Sequence, residues 1–278
     1  MKKLIVTCDD CGLSEGINLA TAQLYEKGIV TAATVMTNFP AASEALKLLS
    51  RYPGLDIGVH LNLTDGFPLT EIGEASDLTQ DDGSFRARPT LFTQALVARR
   101  SFLELAEAEL SGQIGFFIDR GVQPRHLTTH LHFHWFPSLR KIVYGLARKY
   151  GVQWVRNNEL RRAIVPFNWF LPDHEEPLTP GVLGDIPSPD YLIALQYWIK
   201  FGTPAKLLEK LLTLEGTIEL VVHPCLPQDA TFPQEIKYSP QERYDELQYL
   251  IQFAELMETE APGIFQILAG YQTFDGGG

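Results

Sequence analysis

Residues 3–12 read KLIVTCDDCG, a short apolar segment that ends in two adjacent acids, Asp9 and Asp10. Residues 16–27 follow with apolar side chains three and four positions apart, which is the spacing of a helix with one buried face. An apolar strand, a polar corner and an amphipathic helix form the repeating unit of parallel α/β folds. The stretch therefore predicts that fold class and places both aspartates at the downstream end of the first strand.

The same alternation of strand and helix continues along the chain. Strands are predicted at residues 30–36, 56–63, 125–130, 152–156, 217–222 and 264–268, and helices at 40–49, 90–120, 137–150, 189–200, 204–213 and 239–258. About seven such units, without a linker or a repeat of fixed period, predict a single domain over residues 1–278 that forms a barrel or near-barrel. Segments 64–89 and 165–189 are predicted active-site loops, and residues 274–278 a flexible tail.

Charge and composition exclude several classes of function. Lys and Arg number 23 against 34 Asp and Glu, a formal net charge of -11, and no window concentrates basic residues, so nucleic-acid binding is not expected. Hydrophobic residues make up 45% and charged residues 21% of the chain, which is typical of a globular protein with a buried core. No apolar run approaches the length of about 18 residues that a membrane span needs.

Location and assembly are expectations from general trends. The cysteines, Cys8, Cys11 and Cys225, lack paired zinc-type spacing, which fits a reducing compartment. Acids interrupt the N-terminal apolar segment too early for a signal peptide, so we expect a cytoplasmic protein. A homodimer is the expected assembly only because it is the commonest one.

Unusual polar residues stand at the downstream ends of separate predicted strands. They are Asp9, Asp10, His60, His130, Arg156 and His223. In a parallel barrel the carboxyl ends of the strands converge on one face, so side chains that are remote in sequence meet around a substrate or a metal ion. The sequence therefore predicts one site built from five strands.

The adjacent acids Asp9 and Asp10 allow two interpretations. Two carboxylates in a cleft of low polarity repel each other, and a bound cation would remove that conflict. At a strand-to-loop corner both could turn inward, one toward the metal and the other toward a water molecule. Alternatively, one of them only caps the helix that begins near Glu15.

Residues 125–134 read RHLTTHLHFH and contain four of the seven histidines of the chain. Their near-alternating spacing predicts an extended segment with His126, His130, His132 and His134 on one face. One or two of them would face the site, one as a metal ligand and the others orienting it or touching substrate. The spacing matches neither a zinc finger nor an HExxH motif, so it does not identify the metal.

Three further residues have open interpretations when each is taken alone. His60 is flanked by apolar residues and is either a ligand or a core histidine bonded to a backbone carbonyl. His223 closes a β-branched strand, where it suits general acid or base work, because its reference pKa is near 6.5. Arg156 either binds a carboxylate, with Asp9 as one candidate, or forms a surface ion pair of little value.

Four motifs together resemble a known family. They are DDCGLS at residues 9–14, GVHLNLT at 58–64, HLTTHLH at 126–132 and VHP at 222–224. In this order they resemble the YdjC-like carbohydrate deacetylases, which include chitooligosaccharide deacetylases and a branch associated with hopanoid biosynthesis. The resemblance spans nearly the whole chain. It implies a distorted TIM-like barrel, one divalent metal ion, with Mg or Zn expected, and removal of an N-acetyl group from an amino sugar or an acetylated oligosaccharide.

The resemblance also implies roles for individual residues. Asp10, His60 and His130 would be the metal ligands, Asp9 the general base on a water molecule, and His223 the acid for the leaving amine. His132, Arg156 and Asn62 are expected to contact the substrate or to support the ligands. The chain departs from the family pattern at Cys11, where the family carries an aromatic or aliphatic residue, and at Thr128, near which the family carries an acid.

Two other functions remain open from the sequence. A metal-dependent sugar isomerase or endonuclease can use a similar barrel, but such sites need extra acidic ligands, and no further acid is evident at the predicted strand ends. Because Thr128 replaces an acid that could support a histidine ligand, a sugar-binding homologue with impaired catalysis is the second alternative. Five aromatic residues could stack on sugar rings or pack in the core: Phe67, Trp135, Phe136, Trp169 and Phe170.

Overall fold

A computed structural model of the chain describes residues 2–71, 76–156, 163–164, 186–200 and 202–267. The strands are β1 (Lys2–Cys11), β2 (Ala32–Val35), β3 (Asp56–Leu61), β4 (His126–Thr129), β5 (Trp154–Val155), β6 (Ala163–Ile164), β7 (Tyr191–Ala194), β8 (Thr217–Val222) and β9 (Phe265–Ile267). The helices are α1 (Glu15–Glu26), α2 (Ala42–Leu49), α3 (Arg88–Val97), α4 (Arg100–Ile118), α5 (Pro137–Lys149), α6 (Leu195–Trp198), α7 (Pro204–Thr213) and α8 (Pro240–Glu260).

The strands form one parallel sheet with β1 near its middle. The order is β5-β4-β3-β2-β1-β8-β7-β6, and β9 pairs with the beginning of β1. β1 is buried along nearly its whole length, which explains why its sequence is a continuous apolar run rather than an alternating one. The predicted fold class, an α/β protein with a distorted barrel of parallel strands, is confirmed. Among the described residues, β5 and β6 form the two ends of the sheet.

This sheet brings the polar strand ends to one side of the molecule. β1, β3, β4 and β8 run in the same direction within a continuous path of neighbouring strands, so their downstream ends lie at the same edge. Apolar side chains from the strands and from the surrounding helices form one large buried cluster beneath that edge. No helix among the described residues is both long enough and apolar enough to cross a membrane.

Three local predictions are wrong. The segment 189–200 begins as strand β7 and only its end is helical; the apolar run Tyr191–Ala194 pairs with β8, and a buried parallel strand shows no alternation that would separate it from a helix. The segment 90–120 is two helices, separated at Ala98, which has a left-handed backbone (φ 53°). The histidine-rich segment is extended only as far as Thr129 and then turns in a 3₁₀ segment, His130–Trp135.

The predicted loops and tail are described only in part. Loop 64–89 is described except for residues 72–75, and its last residues enter helix α3. Most of loop 165–189, and all of the tail 274–278, lie outside the described residues. The single domain over residues 1–278 stays a prediction.

Candidate active site

A β-bulge at the end of β1 turns both aspartates toward the site. Between Cys8 and Cys11 the strand advances three residues, whereas β2 opposite advances two, from Ala33 to Val35. The extra residue bends the strand, and Asp10 takes the left-handed conformation (φ 63°) that aspartate tolerates better than most residues. Asp9 and Asp10 are both buried. Neighbours that an undistorted strand would point to opposite faces therefore share one site.

Neither aspartate caps α1, so that alternative is wrong. Side chains of the loop between β8 and α8 instead accept hydrogen bonds from the backbone amides in the first turn of α1. The Gly16 amide donates to Asp229 Oδ2 (2.9 Å) and the Glu15 amide to Thr231 Oγ1 (2.9 Å). Both aspartates remain available to the site.

Three donor atoms from three strand ends form a compact triangle. Asp10 Oδ1 lies 3.2 Å from His60 Nε2 and 3.3 Å from His130 Nδ1, and the two histidine nitrogens are 3.4 Å apart. Ligand atoms bonded at about 2.0–2.2 Å to one ion are separated from each other by about 3–3.5 Å. The spacing of the triangle therefore fits a single divalent cation.

The outward nitrogens of both histidines have hydrogen-bonding partners. His60 Nδ1 lies 2.7 Å from Thr128 Oγ1, and His130 Nε2 lies 2.9 Å from Asp65 Oδ2. If each outward nitrogen carries the ring proton, the inward nitrogens present lone pairs to Asp10 Oδ1. Asp10 Oδ1 itself is buried and accepts no well-formed hydrogen bond from the described residues. Three electron-rich atoms at this distance repel one another unless a proton or a metal ion lies between them.

The ionisation of the two histidines agrees with this picture. Burial lowers the pKa of His60, despite the opposing charges of Asp9 and Asp10, so this ring is neutral near pH 7. Burial would also lower the pKa of His130, but Asp10 and Asp65 raise it to about 9. A proton on His130 therefore occupies the position that a metal ion would take, and the two must compete.

Asp9 is held in a different way. Arg156 donates to both of its oxygens (2.6 and 2.8 Å), and Thr34 Oγ1 adds a third hydrogen bond of 2.8 Å. Arg156 also binds Glu219 Oε1 through two nitrogens (3.0 and 2.8 Å). Burial alone would raise the pKa of Asp9, but the Arg156 and His60 charges hold that pKa well below its usual range. Asp9 is therefore an anion throughout the neutral range.

Asp10 has an arginine of its own. Arg243, in the first turns of α8, donates from Nη2 to Asp10 Oδ2 (2.7 Å) and from Nε to the Tyr238 carbonyl oxygen (3.0 Å). Burial opposes ionisation of Asp10, but the charges of Arg243 and His130 hold its pKa well below the usual range. The arginine occupies one carboxylate oxygen and leaves the other, Oδ1, facing the two histidines.

His223 stands at the end of β8 with an acid behind it. Its amide donates to Glu246 Oε1 (3.0 Å), and its Nδ1 lies 3.5 Å from the same oxygen. Tyr238 donates its hydroxyl to Glu246 Oε2 (2.7 Å). Burial would lower the pKa of His223, but Glu246 outweighs it and raises that pKa. The ring can thus carry a proton at neutral pH.

A cavity of about 1030 Å³ opens above these groups. Of the residues predicted for the site, six line it: Asp9, Asp10, His60, His130, His132 and His223. Aromatic side chains form part of its wall, because His132 stacks on Trp135 with ring centroids 4.8 Å apart, and Phe136 lies beside them. Burial, and then the charge of Arg156, hold the pKa of His132 well below its usual range, so this ring is neutral.

The other two predicted residues lie beneath the cavity. Arg156 is fully buried against Asp9 and Glu219, and Asn62 is fully buried in the turn after β3. The remaining histidines of the cluster are also outside the site: His126 Nδ1 lies 3.0 Å from Asp56, and His134 contacts the Thr129 hydroxyl. The common face predicted for four histidines is wrong, because the backbones of Leu131 and His132 are left-handed and turn the chain.

The sequence interpretation missed several polar residues near the site. They are Asp65, Glu219, Tyr238, Arg243 and Glu246. Glu219 could have been found as a charge inside an otherwise apolar strand, and Asp65 as the acid that directly follows the GVHLNLT motif. Arg243 and Glu246 give no such signal, since charged residues are ordinary on an amphipathic helix. None of these acids joins the triangle: Asp65, the one in the turn after β3, contacts the outward nitrogen of His130.

Comparison with known proteins agrees with the site. The model of the family described as "YdjC-like protein" matches residues 3–257. The chain belongs to the YdjC-like family. The resemblance inferred from the four motifs is thereby confirmed.

Relatives within the YdjC-like family have named activities. A protein of Halalkalibacterium halodurans named carbohydrate deacetylase is 35% identical over 224 residues, which are 80% of this chain and 84% of that protein. A protein of the same name from Listeria monocytogenes is 31% identical over 225 residues, 80% of this chain and 81% of that protein. A crystal structure from Enterococcus faecalis, of a candidate cellobiose-phosphate cleavage protein, has a TM-score of 0.77 at 25% identity and covers 98% of both chains.

Proposed function

We propose that this YdjC-like protein is a metal-dependent hydrolase that removes an N-acetyl group from an amino sugar or an acetylated oligosaccharide. The observation that carries the proposal is the triangle of Asp10 Oδ1, His60 Nε2 and His130 Nδ1 on the floor of the cavity. The relatives named carbohydrate deacetylase support the type of substrate. Of the two expected metals, two imidazole donors suit Zn better than Mg, which prefers oxygen ligands.

The triangle would hold the ion, and the residues around it would handle protons. A divalent ion bound there supplies acidity to a coordinated water molecule and polarises the amide carbonyl. Asp9 faces the cavity as a permanent anion and can accept a proton. Its two hydrogen bonds to Arg156 lower its basicity. The same two bonds hold the carboxylate in a fixed orientation.

His223 lines the same cavity and would complete the chemistry. The leaving amine must gain a proton, and the imidazolium of His223 can donate one. Glu246 favours the charged ring and, with Tyr238, holds it in place. Trp135 and Phe136 present flat apolar surfaces on which a sugar ring can stack.

The structure weakens both alternatives. Thr128 does not leave His60 without support, because its hydroxyl lies 2.7 Å from His60 Nδ1, so the departure from the family pattern gives no reason to expect an inactive homologue. An isomerase or endonuclease needs additional acidic ligands on the ion. The nearest candidate, Asp65, instead contacts the outward nitrogen of His130.

Acetate release tests the proposal directly. Metal-stripped protein, reconstituted with Zn²⁺ or Mg²⁺, should release acetate from an N-acetylated oligosaccharide, and Asp10→Ala and His130→Ala should abolish this activity. Asp119→Ala, which changes an exposed aspartate at the end of α4, is the matched control and should retain it. Full activity in the metal-stripped protein, or formation of an isomer without acetate, would contradict the proposal.

The cytoplasmic location and the homodimer belong to this proposal as expectations. Three free, buried cysteines suit the reducing conditions of the cytoplasm. Light scattering of the purified protein tests the dimer, and fractionation of cells tests the location.

A further inference from the structure

The two histidines of the triangle have different partners behind them. His60 Nδ1 meets the neutral hydroxyl of Thr128 at 2.7 Å, with the Asp9 carboxylate farther away at 3.8 Å, whereas His130 Nε2 meets the carboxylate of Asp65 at 2.9 Å. A hydrogen bond to a carboxylate is roughly twice as strong as one between neutral groups. It also decides which ring nitrogen carries the proton, because a carboxylate can only accept. The orientation of His130 therefore depends more on its partner than that of His60 does.

The position of Asp65 is fixed by a hydrogen-bonded turn. Asn62 Oδ1 accepts from the amides of Thr64 (3.0 Å) and Asp65 (3.2 Å), and Asn62 Nδ2 donates to the Asp65 carbonyl oxygen (2.7 Å). Thr64 Oγ1 donates to Asp65 Oδ2, the oxygen that faces His130 (2.8 Å). Both the backbone and the carboxylate of Asp65 are therefore held.

Helix α4 anchors this turn from below. Gln113 accepts from the Asn62 amide (2.8 Å) and donates to the Asn62 carbonyl oxygen (2.7 Å), and Glu109 accepts from Gln113 Nε2 (2.7 Å). Glu109 also accepts hydrogen bonds from the backbone amides of Leu69 and Thr70 (3.0 and 2.9 Å). All these α4 side chains are buried, so the turn belongs to the rigid part of the molecule.

We propose that Asp65 is a positioning residue: it holds the His130 ring with Nδ1 toward Asp10 and so sets the affinity of the triangle for its divalent ion. The inference rests on the proposed function, since it assumes that the triangle binds a metal. Asn62 was expected from the sequence to contact substrate or support the ligands. In this account it acts indirectly, because it shapes the turn that holds Asp65 against His130. The affinity for the ion therefore depends on an orientation of the His130 ring that Asp65 sets before the ion binds.

The test is the Zn²⁺ dissociation constant, measured by competition with a chromophoric chelator. Asp65→Asn and Asp65→Ala should weaken Zn²⁺ binding by about 10- to 100-fold, the usual effect of removing such a partner. Asp65→Glu, which keeps a carboxylate, should recover part of the loss. The matched control Asp119→Asn, at an exposed position at the end of α4, should bind Zn²⁺ as the wild type does. At saturating Zn²⁺, kcat of the Asp65 variants should return close to the wild-type value, which a general structural defect would not allow.

Three outcomes would overturn the inference. Zn²⁺ binding within about twofold of the wild type in both Asp65→Asn and Asp65→Ala would show that His130 needs no such partner. Unchanged Zn²⁺ binding with a raised KM would make Asp65 a substrate contact instead. A wild type that binds neither Zn²⁺ nor Mg²⁺ would overturn the proposed function itself, whereas the first two outcomes leave that function intact.

Discussion

Asp9 and Asp10 are neighbours in the chain, but the two sides of the site hold them differently. On the Asp9 side, Arg156 occupies both carboxylate oxygens and is itself shared with Glu219. On the Asp10 side, Arg243 occupies Oδ2 and leaves Oδ1 facing two histidines. Asp10 can coordinate an ion because its arginine binds only one carboxylate oxygen. Asp9 is held as a charged acceptor because its arginine binds both. Adjacent acids thus acquire different chemistry from their partners.

The largest expected effect comes from exchanging each acid for its amide. Asp10→Asn should lose high-affinity Zn²⁺ binding and reduce acetate release by about 10³-fold or more, because several kcal/mol of charge stabilisation depend on the ion. Asp9→Asn should also lose turnover but should keep Zn²⁺ binding within a few-fold of the wild type. Zn²⁺ titration and acetate assays on both variants separate the two roles. Equal loss of Zn²⁺ in both would contradict the comparison.

Removal of the arginines should affect stability next. Arg156→Gln leaves Asp9 and Glu219 buried without their cation, which should cost about 3–5 kcal/mol in the free energy of unfolding by urea. Arg243→Gln strips one hydrogen bond from Asp10, so the loss should be smaller. Added Zn²⁺ should restore much of the stability of Arg243→Gln and little of that of Arg156→Gln. The reverse pattern would show that the ion neutralises Asp9 instead.

Acid should destabilise the folded protein through the same two carboxylates. Their pKa values are lower in the folded protein than in the unfolded chain, near 3.9, so the stabilisation is present above pH 4 and is lost as the pH falls through the folded values. The loss should be visible as a thermal midpoint that falls as the pH drops below about 5 toward the folded pKa values. Asp9→Asn should flatten this profile. An unchanged slope would contradict the ionised state of Asp9.

The smallest effect should appear at His223. Glu246 raises the pKa of that ring, so Glu246→Gln should move the basic limb of the pH dependence of kcat to lower pH. Tyr238→Phe keeps the carboxylate but removes its hydrogen bond, and should move the limb less. The activity of Glu246→Gln relative to that of the wild type should fall as the pH rises from 6 to 8. A limb that stays in place would exclude His223 as the acid.

The sequence predicts the site residues at the strand ends well, but it does not predict those on helix α8, although the helix itself is found where it was expected. Asp10, His60 and His130 can be found because parallel strands bring their carboxyl ends to one edge, whatever lies between them in the chain. The inward turn of both aspartates depends on the β-bulge in β1. Their arginine partners come from distant parts of the chain, Arg156 from the end of β5 and Arg243 from helix α8. Arg243 is more than 230 residues from Asp10, and no spacing rule connects them. Periodicity also failed at β7, where burial on both faces removes the alternation.

The most direct test of the account is the position of a bound ion. Crystals soaked with Zn²⁺ near neutral pH and measured at the zinc absorption edge should show one strong anomalous peak, bonded at about 2.0–2.2 Å to Asp10 Oδ1, His60 Nε2 and His130 Nδ1. Asp9, paired with Arg156, should remain outside the bonding distance of the ion. A peak bonded to Asp9, or no peak at the triangle in protein that releases acetate, would contradict it.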